Sequence, residues 1–354
     1  MWAITVKELR QLRRDHRMLA LIVAMPLVML IVFGYAASFD VTEVRTVVVG
    51  PDAVAAAAQA PRVLRVDSIR PDQGRAEAVE ALRNGEAVAA IVTGGPRPVA
   101  LLDGSSLFSA RTAAAVLVPA GIVPEVLFNP GLETSAVLVP GLMGLVLLFV
   151  GTVITSLGVV RERQAGTLEQ LAVMPFRPRD VVAGKVLPYL LIAAVDMLVV
   201  VIAGLVLFDV PFNGSPLLFA LAAGMFLLVT LGVGVLISTA SENQGQAVMV
   251  ALMTLLPQVL LSGLIFPVEA MAPGVRWIAY LLPLRYFIDV SRGVLVRGAP
   301  ASALVFPLSM LAVLGVVVFS LAVLRFRRDL APHTGTGAGP SAPARPELAE
   351  AGVE

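Results

Sequence analysis

Asp196 sits midway through an apolar run from Val181 to Phe208. A carboxylate in such a run has two open uses: a contact for a substrate or a proton, or a hydrogen-bonding group that joins helices. Either use places it toward a bundle interior or a polar cavity, because a lipid-facing charge costs ~2.5–3.5 kcal/mol on the mildest scale. A second group is Arg285, Asp289 and Arg292, whose carboxylate lies four residues after one arginine and three before the other. That spacing puts all three on one helical face, where mutual pairing is the structural reading and an outer gate the functional one. A third is the stretch Arg161–Pro175. Thr167 followed by Gln170 is a capping-box pattern, Gly166 supplies a turn, and Pro175 ends the helix. Its apolar stripe of Leu168, Leu171 and Ala172 suits a protein groove; an interfacial amphipathic turn is the alternative.

Other chemistries are excluded by residue type. Cys is absent, and His16 and His333 are the only histidines, so thiol catalysis, Cys-ligated metals and a His triad are not expected. Gly184-Lys185 has Arg179 where a phosphate loop needs its first Gly and Val186 where it needs Ser or Thr. It cannot cradle phosphates. Asp103, Ser105 and Ser106 stand in turn-like sequence with no His or Cys partner, so no enzyme site is expected there.

The elements that position these groups are membrane elements. The 354 residues are 58% hydrophobic and 14% charged, with mean hydropathy +0.88, against ~25% charged in ordinary soluble domains. The net charge of +1 gives no field for nucleic acid. A bilayer core takes ~20 apolar residues per helix. Six runs qualify: Met18–Phe39, Thr134–Val160, Val181–Phe208, Leu217–Thr239, Ala247–Phe266 and Ala303–Phe326. The expected fold is a mainly α membrane protein with six transmembrane helices and a small extracellular α/β domain at Asp40–Glu133. An amphipathic interfacial helix over residues 1–17 precedes them, with Lys7, Arg10, Arg14 and Arg17 on one face. It serves as a topology anchor or also touches a cytoplasmic partner. Residues 161–180 form a cytoplasmic segment, and Pro267–Ser302, broken by Pro267, Pro273 and Pro283, a re-entrant segment at the outer leaflet. The tail 327–354 is expected to be disordered.

Within 40–133, Arg45–Gly50, Arg62–Ile69, Ala87–Thr93 and Pro98–Leu102 read as strands. Ala76–Arg83, with Asp72 as its cap, and Leu107–Val118 read as helices. Lys and Arg near the span ends number 14 on the side of both termini and 4 on the other. Both termini are therefore expected in the cytoplasm, and the bias of 24 Arg to 2 Lys, which is associated with GC-rich bacterial genomes, points to a bacterial plasma membrane.

The stretch Arg161-Glu-Arg-Gln-Ala-Gly-Thr-Leu-Glu-Gln-Leu-Ala-Val-Met-Pro175, followed by Gly184-Lys185 and Pro188-Tyr189, resembles a signature of ABC-2 type exporter permeases. A second signature runs from Leu261 through Met271 and from Leu282 to Gly298, with further matches at Leu82–Ile91, Leu102–Ser105, Phe128–Pro130 and Pro140-Gly141. The chain is similar to the multidrug-type subgroup with a large outer domain between spans one and two. The resemblance implies that the loop helix couples to a separate ATP-binding subunit, through Glu162, Gly166, Thr167, Leu168, Glu169, Leu171 and Pro175. It also implies a second permease subunit, a homodimer being the simpler assembly, and a hydrophobic or amphipathic cargo such as a drug or lipid. No cofactor is expected on this chain; ATP and magnesium would sit on the partner. Two alternatives stay open: a proton-coupled secondary transporter using Asp196, and a membrane protein that transmits force or signals without moving a substrate.

Overall fold

The computed structural model describes residues 41–165 and 178–330, without the side chains of 178–186 and 326–330. The expected helix at 1–17, the span at Met18–Phe39, the loop from Gly166 and the tail beyond 330 lie outside the described residues.

The first part is an α/β unit: β1 (Val44–Val49), α1 (Ala53–Ala58), β2 (Leu64–Arg70), α2 (Arg75–Arg83), β3 (Ala89–Val92), β4 (Val99–Asp103), α3 (Leu107–Leu117) and β5 (Val123–Leu127). The sheet order is β2-β1-β3-β4-β5, with only the β3–β4 pair antiparallel. Side chains alternate across the strands, so Val44, Val48, Ile91 and Leu102 bury against α1 and α3, while Val47, Val49 and Leu101 bury against α2. Both faces are covered, which is why the strands read as near-continuous apolar runs. Helix α2 starts at Gly74, not at Asp72 as its sequence indicated: the Gly74 N–H donates to the Glu77 carboxylate at 2.9 Å. α1 and β5 were not anticipated from the sequence. Pro124 interrupts the β5 pattern, and it is tolerated because β5 is an edge strand.

A rigid corner joins this unit to the helices. The Asn129 side chain, 6% exposed, donates to the Gly104 and Glu133 carbonyls at 3.2 and 3.0 Å and accepts from the Glu133 N–H at 3.0 Å. Phe128 and Leu132 on either side hold positive φ of 67° and 48°, conformations that L-residues adopt only where surroundings impose them.

Beyond the corner run α4 (Thr134–Phe149), a π-turn (Val150–Ile154), α5 (Thr155–Gln164), α6 (Pro178–Leu207), α7 (Pro216–Ala240) and α8 (Gln244–Leu261). Then come α9 (Pro273–Ala279), α10 (Pro283–Arg292) with a π-turn at Gly293–Arg297, and α11 (Val305–Leu330). Among the described residues five helical segments are long and apolar enough to cross a membrane: Thr134–Gln164, Leu187–Leu207, Pro216–Ala240, Gln244–Leu261 and Ala301–Arg325. In their most apolar windows, the segments Thr134–Gln164 and Pro216–Ala240 are 61% buried, whereas Leu187–Leu207 and Ala301–Arg325 are 17% buried. The first two therefore form the centre of the bundle and the other two its rim. Phe287 of α10 stacks on Phe226 of α7, with centroids 4.6 Å apart, at the heart of the core.

Local chemistry explains the breaks. α8 stops at Leu261, short of the expected Phe266, because Gly263 adopts φ +86° and turns the chain away. α9 and α10 both open on a proline, Pro273 and Pro283, whose missing N–H costs nothing at a helix start. Within the apolar helices Ser156, Thr230, Ser238 and Thr254 return their hydroxyls to carbonyls three or four residues back, so none is left unsatisfied in an apolar setting.

Candidate functional site

The α/β unit and the α8–α10 segment meet around a cavity of about 140 Å³. α10 is placed there by two side-chain bonds to α4: Ser291 Oγ to the Pro140 carbonyl at 3.5 Å and Arg292 Nε to the Val137 carbonyl at 3.1 Å. Arg285 lies with its guanidinium carbon 4.1 Å from the Tyr280 ring centroid, a cation–π contact. The mutual pairing expected of Arg285, Asp289 and Arg292 does not form. Among the described residues no salt bridge joins Asp289 to either arginine, since each guanidinium is held by a different group. Asp289 instead opens into the cavity, which Arg285, Arg292, Arg297, Arg45 and Glu269 also line. The crowding protein pushes its pKa up, against the pull of Arg285, Arg297 and Arg292.

Arg297 was outside the cluster picked from sequence, yet it makes the longest-range contact at this site. Its Nη1 lies 3.5 Å from Oδ2 of Asp103, at the end of β4. The other Asp103 oxygen accepts from the Ser105 N–H at 2.9 Å. Asp103 is therefore a buried tie between the sheet and the segment after α10.

Asp196 lies on α6 with Ala193, Met197 and Val200, the face that packs into the bundle core; Val195, Leu198 and Val199 face outward. Its Oδ2 is enclosed and has no hydrogen-bond partner among the described residues.

At the opposite end of the first central segment, α5 ends at Gln164, where the loop of Gly166, Thr167, Leu168, Glu169, Leu171 and Pro175 begins. Those six residues lie outside the described residues; Glu162, on the last turn of α5, lies inside them. Arg163 donates from Nη1 to the Ser241 carbonyl at 3.1 Å, and Gln244 Nε2 donates to Gln164 Oε1 at 3.0 Å. The mouth of the loop is thus clamped to the turn between α7 and α8.

Residues 102–296 match the family model described as ABC-2 type transporter. That stretch runs from β4 through α10 and holds Asp196, both sides of the loop and the cavity's lining except Arg45, Val88 and Arg297. The chain belongs to the ABC-2 type transporter family. It is 28% identical over 363 residues to "Probable multidrug ABC transporter permease YbhR" of Escherichia coli strain K12, covering 93% of this chain and 99% of that protein. "Probable multidrug ABC transporter permease YbhS" of the same organism is 32% identical over 204 residues, 57% of this chain and 54% of that protein. "Inner membrane transport permease YhhJ" is 31% identical over 214 residues, again 57% and 54%. The chain spans about half the length of YbhS and YhhJ in those matches.

The matched stretch takes in four of the five apolar segments long enough to cross a membrane among the described residues. Sequence reasoning located α10 and missed Arg297, Arg45 and Ser262 as members of its surroundings. Arg297 stood in the quoted second signature and Asp103 in a quoted turn, but nothing in a separation of 194 residues marks two positions as neighbours.

Proposed function

We propose that this chain is the membrane-spanning subunit of an ATP-driven exporter, with hydrolysis performed by a separate nucleotide-binding chain that holds ATP and magnesium. Membership of the ABC-2 type transporter family, across residues on both sides of the loop, carries the reading. A second copy of this chain would complete the translocation path, and the cargo is a hydrophobic or amphipathic compound. Both termini and the loop after Gln164 face the cytoplasm, and the α/β unit faces outward.

In this reading the loop is the coupling element. Thr167 caps its short helix, Gly166 and Pro175 bound it, and Leu168 and Leu171 fill a cleft of the partner. Glu162 and Glu169 pair with basic residues beside that cleft. The clamp of Arg163 on Ser241 and of Gln244 on Gln164 supports a mechanical route, because these bonds tie the loop mouth to the turn between α7 and α8. Truncating an apolar anchor at a protein interface costs more than ~1 kcal/mol. The test is a permease carrying Leu171→Ala and Glu169→Arg, reconstituted with its ATPase. Lost association, or hydrolysis without transport, is the expected outcome, with membrane insertion unchanged. Normal assembly and normal export by this variant would reduce the loop to a connector.

A further inference from the structure

The junction cavity is a built site that the coupling route does not use. Arg297 is already engaged by Asp103. Arg45, Arg285 and Arg292 line the cavity with Glu269 and Asp289, which leaves one positive charge in excess, since among the described residues Arg45 is met only by the uncharged Gly85 and Glu86 carbonyls. Three donors at the cavity have no acceptor among the described residues: the Ser262 hydroxyl, on a residue only 2% exposed, Nη1 of Arg285 and Nε of Arg297. A buried donor without an acceptor is costly and calls for one. Charge excess and orphan donors ask for the same thing, a negatively charged acceptor.

Size narrows the choice. At about 140 Å³ the space greatly exceeds the ~15 Å³ that one water requires, yet it falls short of the ~300 Å³ at which sites for drug-sized ligands begin. The occupant is a compact group and not a whole amphipathic cargo. Guanidinium forks match carboxylate and phosphate alike. With Ser262 as a third donor, a group carrying three or more acceptor oxygens fits best.

We propose that the cavity between the α/β unit and the α8–α10 segment binds a phosphate-class oxyanion through Arg285, Arg292 and Ser262, with Asp289 as an opposing charge that weakens the binding. The phosphate comes from a lipid headgroup or from a free or cargo-borne phosphate. The proposal is independent of the coupling reading, since its test reads binding and not transport.

The experiment titrates inorganic phosphate into the full-length chain in non-ionic detergent, following thermal stability and calorimetric binding. A parallel arm uses nanodiscs of phosphatidylglycerol and phosphatidylethanolamine, with native mass spectrometry of retained lipid. Saturable phosphate binding, weakened tenfold or more by Arg285→Gln with Arg292→Gln and tightened several-fold by Asp289→Asn, supports the site and a free-phosphate source. Retained lipid that obeys the same variants, without inorganic phosphate binding, supports the site and a headgroup source. Ser262→Ala and Asp289→Asn each change a single small group, so they remain informative if the double arginine variant does not fold. Binding of neither probe, or affinities identical in Ser262→Ala, Asp289→Asn and the parent chain, overturns the proposal and leaves a structural charge cluster.

Discussion

Asp103 and Arg297 meet across 194 residues, carboxylate to guanidinium at 3.5 Å, and join the end of β4 to the segment that follows α10. Asp103 is 1% exposed. Removing one partner of a buried pair strands the other, at about 3–5 kcal/mol. Because Ser105 N–H also supports the Asp103 carboxylate, Arg297→Met is expected at the lower end, about 3 kcal/mol. The double variant Asp103→Asn with Arg297→Met should recover part of the loss. Chemical denaturation of the full chain in detergent measures both, and an Arg297→Met chain as stable as the parent removes the tie from the account.

The crossing of the two central segments depends on Gly234. A methyl group there would lie 2.8 Å from both the Thr152 carbonyl oxygen and the Thr155 Cβ, the first of which is backbone and cannot swing away. Small residues let helices in a membrane approach this closely. Gly234→Ala is therefore expected to lower stability by about 1–3 kcal/mol through overpacking, and Gly234→Leu to prevent a folded bundle. Gly224, beside which an added methyl group meets nothing within 4 Å among the described residues, is the control on the same helix: Gly224→Ala should be neutral or better.

Asp196 separates transport chemistry from packing. Asp196→Asn keeps the shape and much of the hydrogen-bonding capacity; Asp196→Leu removes both. An unchanged rate and pH dependence of export in the asparagine variant, with a lower melting temperature in the leucine variant, marks a residue that joins helices. A rate that loses its pH dependence in Asp196→Asn marks a proton or cargo contact and revives the proton-coupled alternative.

The orientation is open to direct labelling. The absence of Cys makes the chain a clean background. Arg75→Cys, on the exposed start of α2, should react in intact cells with a thiol reagent that does not cross membranes, because the basic residues concentrate on the opposite side. Reaction only after the membrane is opened would reverse the assignment.

What the sequence determines here is whatever depends on short-range pattern. A helix that crosses lipid must satisfy its backbone internally and cover ~20 residues with apolar side chains, so the runs at Thr134, Leu217 and Ala303 announce themselves. β-branched runs such as Val47–Val49 announce buried strands for a similar reason, and Pro273 and Pro283 mark the first turns of α9 and α10. Where the local rule has two solutions, the prediction slips: β5 reads poorly because Pro124 is forbidden in a central strand and allowed at an edge, and edge or centre is settled only when the sheet assembles. The charges slip further. Spacing along one helix put Arg285, Asp289 and Arg292 within reach of one another, and helical geometry keeps them on one face. The tertiary structure then offered each arginine a nearer partner, the Tyr280 ring for Arg285 and the Val137 carbonyl for Arg292, and supplied Arg297 with Asp103 from a different unit. Electrostatic pairing depends on distance through space and on the water removed around it, and both are set only when α4, α10 and the sheet come together.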